Sequence, residues 1–249
     1  MNEFQLRRKV QLRATRAGII SLVILVFADI ASAQDVPGKW AVGIAGGIAS
    51  FSMGDMKEYQ SERNRASRYD TRIVKSFPVY FSGSFHVSYF DSRKFFDLAV
   101  GRTSTGGRIS YSDYSGEYVM DHTVVMGYTS AGAGFRVGSY RNINIYAAAN
   151  ALLYSNLMKE KEQETYYDVG GSKNVREYIA LSIGLAPGLE LHRRIGRHLL
   201  IRQQTYFEIH IPSELISTET EMELTRHNSD PVTAQPTGIR ARLGLSYIF

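Results

Sequence analysis

The chain contains no cysteine and only one tryptophan in 249 residues. Lacking cysteine, it has no disulfide framework, no thiolate metal site and no lipid-modified N-terminal cysteine. Beyond residue 33 no stretch is long and apolar enough for a transmembrane helix, which needs ~20 such residues. Excess charge is also scarce. The net charge is +5, but residues 1–33 carry Arg7, Arg8, Lys9, Arg13 and Arg16 against Glu3 and Asp29, a contribution of +3. The remaining surplus of about +2 leaves no electrostatic footprint for nucleic acid.

Those first residues read as a secretory signal. A basic stretch precedes the apolar run Gly18 to Ala28, and Ala31-Ser32-Ala33 offers a small-residue cleavage site before Gln34. Asp29 interrupts the run too early for a spanning anchor. The expected organisation is a signal peptide over 1–33 and one domain over 34–249.

Tyrosine and phenylalanine are plentiful, 16 and 12 residues, and they fall in segments of strict alternation. The last is the plainest: Ile239, Ala241, Leu243, Leu245, Tyr247 and Phe249 share one face, and Gly238, Arg240, Arg242, Gly244 and Ser246 the other. From Trp40 to Ser50 apolar positions alternate with Ala41, Gly43, Ala45, Gly47 and Ala49. Such a small inward face leaves room for long side chains from other strands of a narrow barrel. Gly43, Gly46 and Gly47 lack the spacing and the following helix of a phosphate loop.

Further alternating segments run from Phe77 to Tyr89, Phe95 to Thr105, Ile143 to Leu153, Ile179 to Leu191 and Leu199 to His210. Between 121 and 138 the register is ambiguous. Val125, Ala131, Ala133, Phe135 and Val137 favour one face, whereas Val124, Met126 and Tyr128 favour the other, and a bulge or an extended rim would reconcile them. Pro187 predicts a bulge or local break in its strand. The connections alternate long and short. Polar segments at 52–75, 106–118, 156–177 and 211–236 read as long loops, and tight turns lie near Asp91–Lys94, Ser139–Asn142 and His192–Arg197.

About eight strands with this rhythm predict an all-β, antiparallel, up-and-down transmembrane barrel, whose short turns and both termini lie on one side. The pattern, with the aromatic ending Leu245-Ser246-Tyr247-Ile248-Phe249, resembles the outer membrane protein β-barrel domain family and is similar to the transmembrane domain of outer membrane protein A. That resemblance implies the outer membrane of a Gram-negative bacterium, periplasmic termini, a monomer among outer-membrane lipid and lipopolysaccharide, and an assembly signal at Leu245, Tyr247 and Phe249 for the barrel-assembly machinery.

The inward charges are Asp97, Glu190 and Glu208 with Arg202, Arg240 and Arg242, which balance. An eight-stranded barrel is just filled by side chains, so a paired network should plug it. Glu190 and Arg202 lie symmetrically about Gly196 and are expected to face each other across a hairpin. Arg240 and Arg242 are expected to meet Glu208 and other acids.

The function expected is non-enzymatic: an envelope-structural or surface-binding barrel acting through its long loops, with no cofactor and no metal. One alternative is a lipid-modifying hydrolase or acyltransferase, for which His210, Ser213 and Glu214 supply the residue types; Pro212 breaks their alternation and the spacing is not the His-X-Ser of lipid A deacylase barrels. A second is a soluble lipocalin-like barrel, which would turn the charged faces to solvent and crowd its cavity with Phe and Leu. The histidines form no His-X-His pair. In the first polar segment Lys57, Arg63, Arg65, Arg68, Arg72 and Lys75 could clamp lipopolysaccharide phosphates, but Asp55, Glu58, Glu62 and Asp70 partly cancel them.

Overall fold

The computed structural model describes residues 38–166, 170–220, 222–227 and 229–249; the expected signal segment, 1–33, lies outside them. Eight strands form the wall: β1 (Lys39–Phe51), β2 (Tyr80–Asp91), β3 (Lys94–Ser112), β4 (Gly116–Tyr140), β5 (Ile143–Tyr166), β6 (Gly170–Ile195), β7 (Leu199–His210) and β8 (Gly238–Ile248). Each pairs antiparallel with the next, and β8 also pairs with β1, Ala41 opposite Ile248 through Phe51 opposite Gly238. The ring therefore has no open edge along its shared length, which is how a sheet crosses a membrane without unpaired backbone.

Alternation places each side chain. Ile44, Phe81, Leu98, Leu181, Phe207 and Leu245 point outward, and the exposure of Phe81 (70 %) and Leu181 (67 %) shows a wall that water would not tolerate over this extent. Inward, the small residues of β1 make room as expected. Gly47 stands opposite Arg242 and Ala49 opposite Arg240 across the closing seam, so the thin face of β1 accommodates the two longest side chains of β8. Trp40 and Tyr89 pack 5.2 Å apart between ring centres, and His198 stacks on Tyr247 at 5.3 Å, near the end that carries the short turns. These rings fit an interfacial girdle.

The eight-stranded fold matches expectation, but the long connections do not. The segment 52–75 is not an irregular loop: it contains helix α1 (Gly54–Ala66) and an edge strand, Arg72–Ser76, paired with β3. The segments 106–118 and 156–177 are largely strand, because β3 to β6 run 19 to 26 residues and extend far beyond the ~10 that span a bilayer. In these extensions the outer face is polar, as where Lys159 meets Glu177 at 2.6 Å, and the inner face carries only scattered apolar residues such as Ile109 and Met158, so the backbone stays extended while the apolar contrast that betrays a strand weakens.

β4 is continuous from Gly116 to Arg136, and a bulge does fall within the ambiguous stretch, at its end between Arg136 and Gly138, beyond the residues whose faces conflict. Val124, Met126 and Tyr128 face inward. They read as a conflict because the upper interior is apolar, not polar. Pro187 produces the expected local break on one side only: the ladder with β7 is interrupted between Leu185–Ile209 and Gly188–Tyr206 without a register shift, while on the other side it stays in register opposite Ala149.

Two segments close the mouth. Met53 and Met56 and the ring of Tyr59 on α1 join Val124, Met126, Met158, Leu215, Leu224 and Val232 in a buried cluster. Met53 and Phe77, where the chain enters and leaves the α1 segment, both have left-handed backbone (φ 46° and 38°) and both are buried; burial holds a conformation that such side chains rarely adopt.

Candidate functional site

The six charged residues of the expected lumen network are all buried. Arg202 is the hub of the lower half. Its Nη1 donates to Asp97 Oδ1 and Ser88 Oγ, each at 2.7 Å, and its Nη2 and Nε donate to Glu190 Oε2 at 2.8 and 3.2 Å. Glu190 does not stand opposite Arg202, however. The register pairs Glu190 with Gln204 and His192 with Arg202, because Gly196–His198 form a three-residue turn off the assumed centre. The guanidinium reaches Glu190 on the diagonal.

The upper half centres on Glu208. Arg240 Nη2 lies 2.6 Å from Glu208 Oε1, and the Tyr154 hydroxyl donates to Oε2 at 2.8 Å. Arg242 breaks the expected pattern. Among the described residues it forms no ion pair with an acid, but it donates to Ser84 Oγ at 2.8 Å and to the Tyr128 hydroxyl. Tyr128 also lies 4.3 Å under the Arg240 guanidinium, so an aromatic face sits between two like charges that a carboxylate would otherwise separate.

Four of the six histidines belong to this interior, which the sequence reading overlooked. His86 Nδ1 lies 3.0 Å from Asp97, His122 Nε2 3.1 Å from Glu160, His192 Nε2 2.6 Å from Glu190 and His210 Nε2 3.3 Å from Glu208. The readable signal was Glu-X-His at 190–192 and 208–210, which puts an acid and an imidazole on one strand face. Among the described residues no group of three or more such side chains could hold a metal.

Ser84 Oγ lies 2.7 Å from His86 Nε2, whose other nitrogen faces Asp97, the order of contacts in a serine hydrolase. The surroundings oppose that chemistry. Asp97 is shared with Arg202 and Ser88, Arg242 already occupies the serine oxygen, and His86 is buried in the filled lumen. The trio is a cross-link of the network. Of the other residue set weighed for hydrolysis, His210 is committed to Glu208 and packs its ring on Tyr154 at 4.8 Å, while Ser213 and Glu214 sit on a rim strand paired with Thr233–Ala234.

Above the wall lies a cleft of about 940 Å³. α1 supplies Tyr59, Arg63 and Arg65, β6 supplies Arg176 and Tyr178, and the last connection supplies Leu224 and Arg226. The charges of the first segment are not cancelled within it, contrary to expectation. Its acids hold the last connection: Glu58 pairs with Arg226, Glu62 accepts from the His227 backbone at 3.0 Å and Asp55 accepts from Thr233. Its cations turn to β5, with Arg68 2.6 Å from Glu164 and Arg63 3.8 Å from Glu162. Tyr59 donates to Glu160 at 2.9 Å.

At the tip between β3 and β4, Asp113 accepts from Ser115 Oγ at 2.7 Å, Ser115 N at 2.8 Å and Tyr111 at 2.8 Å. The Ser115 hydroxyl, then Tyr111, hold its carboxyl down at about 2. A lowered carboxyl stabilises the turn above its unfolded value and loses that effect only as pH falls toward 2. The turn presents Tyr114 almost fully to solvent.

No family model matches the chain, and no curated protein matches it. Among solved structures it is similar to Ail, the attachment invasion locus protein of Yersinia pestis, at 14 % identity and a TM-score of 0.38, covering 86 % of this chain and 100 % of that one. The same protein in complex with the heparin analogue sucrose octasulfate is also similar, at 14 % identity, the same coverage and a TM-score of 0.36.

Proposed function

We propose that the protein is a non-enzymatic barrel of the Gram-negative outer membrane, closed to ions, that presents a rigid extracellular platform for surface partners. The observation that carries this reading is the double closure of the lumen: a charged network within the span and an apolar cap at the mouth. A pore would leave an aqueous path, and an enzyme would leave a reactive group accessible. Here the elaborated parts are α1, the strand extensions and the cleft between them, all at one end. Residues 1–33 would direct export and be removed, the termini and short turns would lie in the periplasm, and the closed ring would act as a monomer.

The absence of native cysteine makes the orientation easy to test. Single variants Tyr114→Cys and Ser92→Cys, expressed in a Gram-negative host, should react differently with a membrane-impermeant maleimide. The tip at 114 should label on intact cells and the turn at 92 only after permeabilisation. The opposite pattern would invert the topology, and release of the protein in the soluble periplasm would defeat the membrane reading.

Leu245, Tyr247 and Phe249 all face outward and are exposed, and the Phe249 amide donates to the Trp40 carbonyl at 2.9 Å. We assign them to recognition by the barrel-assembly machinery. Deleting Phe249 removes one seam hydrogen bond, about 1 kcal/mol, yet should reduce the folded, heat-modifiable fraction in cells severalfold while leaving refolding into detergent nearly unchanged. Equal losses in both assays would reduce the residue to a local structural role.

A further inference from the structure

The outward side chains of β3 change character partway along the strand. Phe96, Leu98 and Val100 are exposed and apolar, and then come Arg102, Ser104, Gly106 and Arg108. Arg102 is thus the first polar residue above the lipid-facing belt on this strand. Its cross-strand neighbours are Gly83 on β2 and Gly127 on β4, and the next positions along the same row are Gly46 and Ser155. The Phe81 ring leans over Gly83 and Gly46 on this row, and Arg102 has no ion pair or hydrogen bond among the described residues. An unpaired cation on the outer wall is stable only at the edge of the hydrocarbon, where an anion or water can meet it.

Higher on the same strand a bay of about 480 Å³ opens beside the edge strand Arg72–Ser76. Gly106 and Gly107 help line it, and exposed Val74, Lys75, Arg108 and Thr123 border it. Lys75 Nζ sits 4.6 Å over the Tyr80 ring. Asp121, the acid of the bay, is bound by Arg108 through two hydrogen bonds of 2.6 and 2.9 Å, so Lys75 retains its uncompensated charge. Six residues of extended strand, roughly 20 Å, separate Arg102 from Arg108. Two cationic points therefore lie on one line up the wall, one at the belt edge and one above it.

We propose that this face of β3 binds the headgroup of a phosphorylated glycolipid of the outer leaflet, with one phosphate at Arg102 and a second anionic group in the bay at Lys75. The Phe96–Val100 stretch below would carry its acyl chains. This rests on the membrane reading above and narrows lipid recognition within the first polar segment to Lys75, on the edge strand beside the wall, because Arg63 and Arg68 face acids of β5.

The test uses the barrel reconstituted in phosphatidylcholine vesicles and titrated with bis-phosphorylated lipopolysaccharide, with retention and thermal midpoint as readouts. The double variant Arg102→Gln, Lys75→Gln should bind roughly 25-fold more weakly, about a factor of five per cation near a membrane surface. Its midpoint in phosphatidylcholine alone should match the native protein. Dephosphorylated lipopolysaccharide should abolish the difference between the two proteins. Equal retention by native and variant chains would overturn the site, and equal protection by inorganic phosphate would assign it to a free anion instead. Failure of the native chain to insert at all would count against the membrane reading itself.

Discussion

Arg202→Ala is expected to lower the stability of the folded barrel by about 3–5 kcal/mol, the loss seen when one partner of a buried ion pair is removed. The side chain is 2 % exposed and holds both Asp97 and Glu190. Its removal leaves two carboxylates in a closed lumen, where each still attracts a histidine and hydroxyls but neither retains a fixed positive charge. The measurement is the urea midpoint in detergent micelles, read on the heat-modifiable band. Arg202→Lys should lie between the two, because a single ammonium cannot match the forked geometry that spans both acids. The triple change Arg202→Met, Asp97→Asn, Glu190→Gln should recover most of the loss, since it removes charge from all three positions at once. An unchanged midpoint for Arg202→Ala would mean that the backbone ladder alone holds the wall and the network merely fills it.

Met56→Asp should act at the other level of closure. Met56 is fully buried in the cluster that unites α1 with the last connection, and a carboxylate placed there has no designed partner. The penalty for burying an uncompensated polar group, about 3 kcal/mol, should open the cap locally rather than unfold the barrel. Trypsin cleavage after Lys57 and Arg63 should then accelerate by roughly a hundredfold, with the heat-modifiable band retained. Planar-bilayer recordings of this variant should still show no steady channel, because the Arg202 and Glu208 networks lie beneath the cap. Steady conductance from the native protein would refute the closed lumen, whereas conductance confined to Met56→Asp would place the whole seal in the cap.

The two variants also separate what was legible in the sequence from what was not. The lumen charges could be picked out in advance because a two-residue period assigns a face to every position once one face is apolar, and Glu208, Arg240 and Arg202 share the inward side. Their partners could not. A one-residue difference in the turn after Ile195 shifted Glu190 onto the diagonal, and Arg242 found Tyr128 because ring closure brought β4 across from β8, a distance no local pattern reports.

The cap was less legible still. α1 buries only Met56, Tyr59 and Gln60 among its thirteen residues, too thin a stripe to stand out amid eight polar neighbours. The cluster that receives it is assembled from β4, β5 and the last connection, so each contribution looks out of place alone: Val124 and Met126 read as a register error, and Leu215, Leu224 and Val232 as stray apolar residues in a polar loop. Likewise, Lys57 to Lys75 read as one basic stretch, although its acids and cations part company to opposite walls.

The sequence by itself determined the number of strands in the wall, the face each presents to lipid and the alternation of short and long connections, because strand periodicity is local and a bilayer punishes exceptions. Only the tertiary structure decided which acid meets which base, that four histidines brace the carboxylates, that the polar connections are mostly strand and helix, and that they close the mouth. Those outcomes depend on register and on ring closure, which bring residues a hundred positions apart into contact and leave no trace in any single segment.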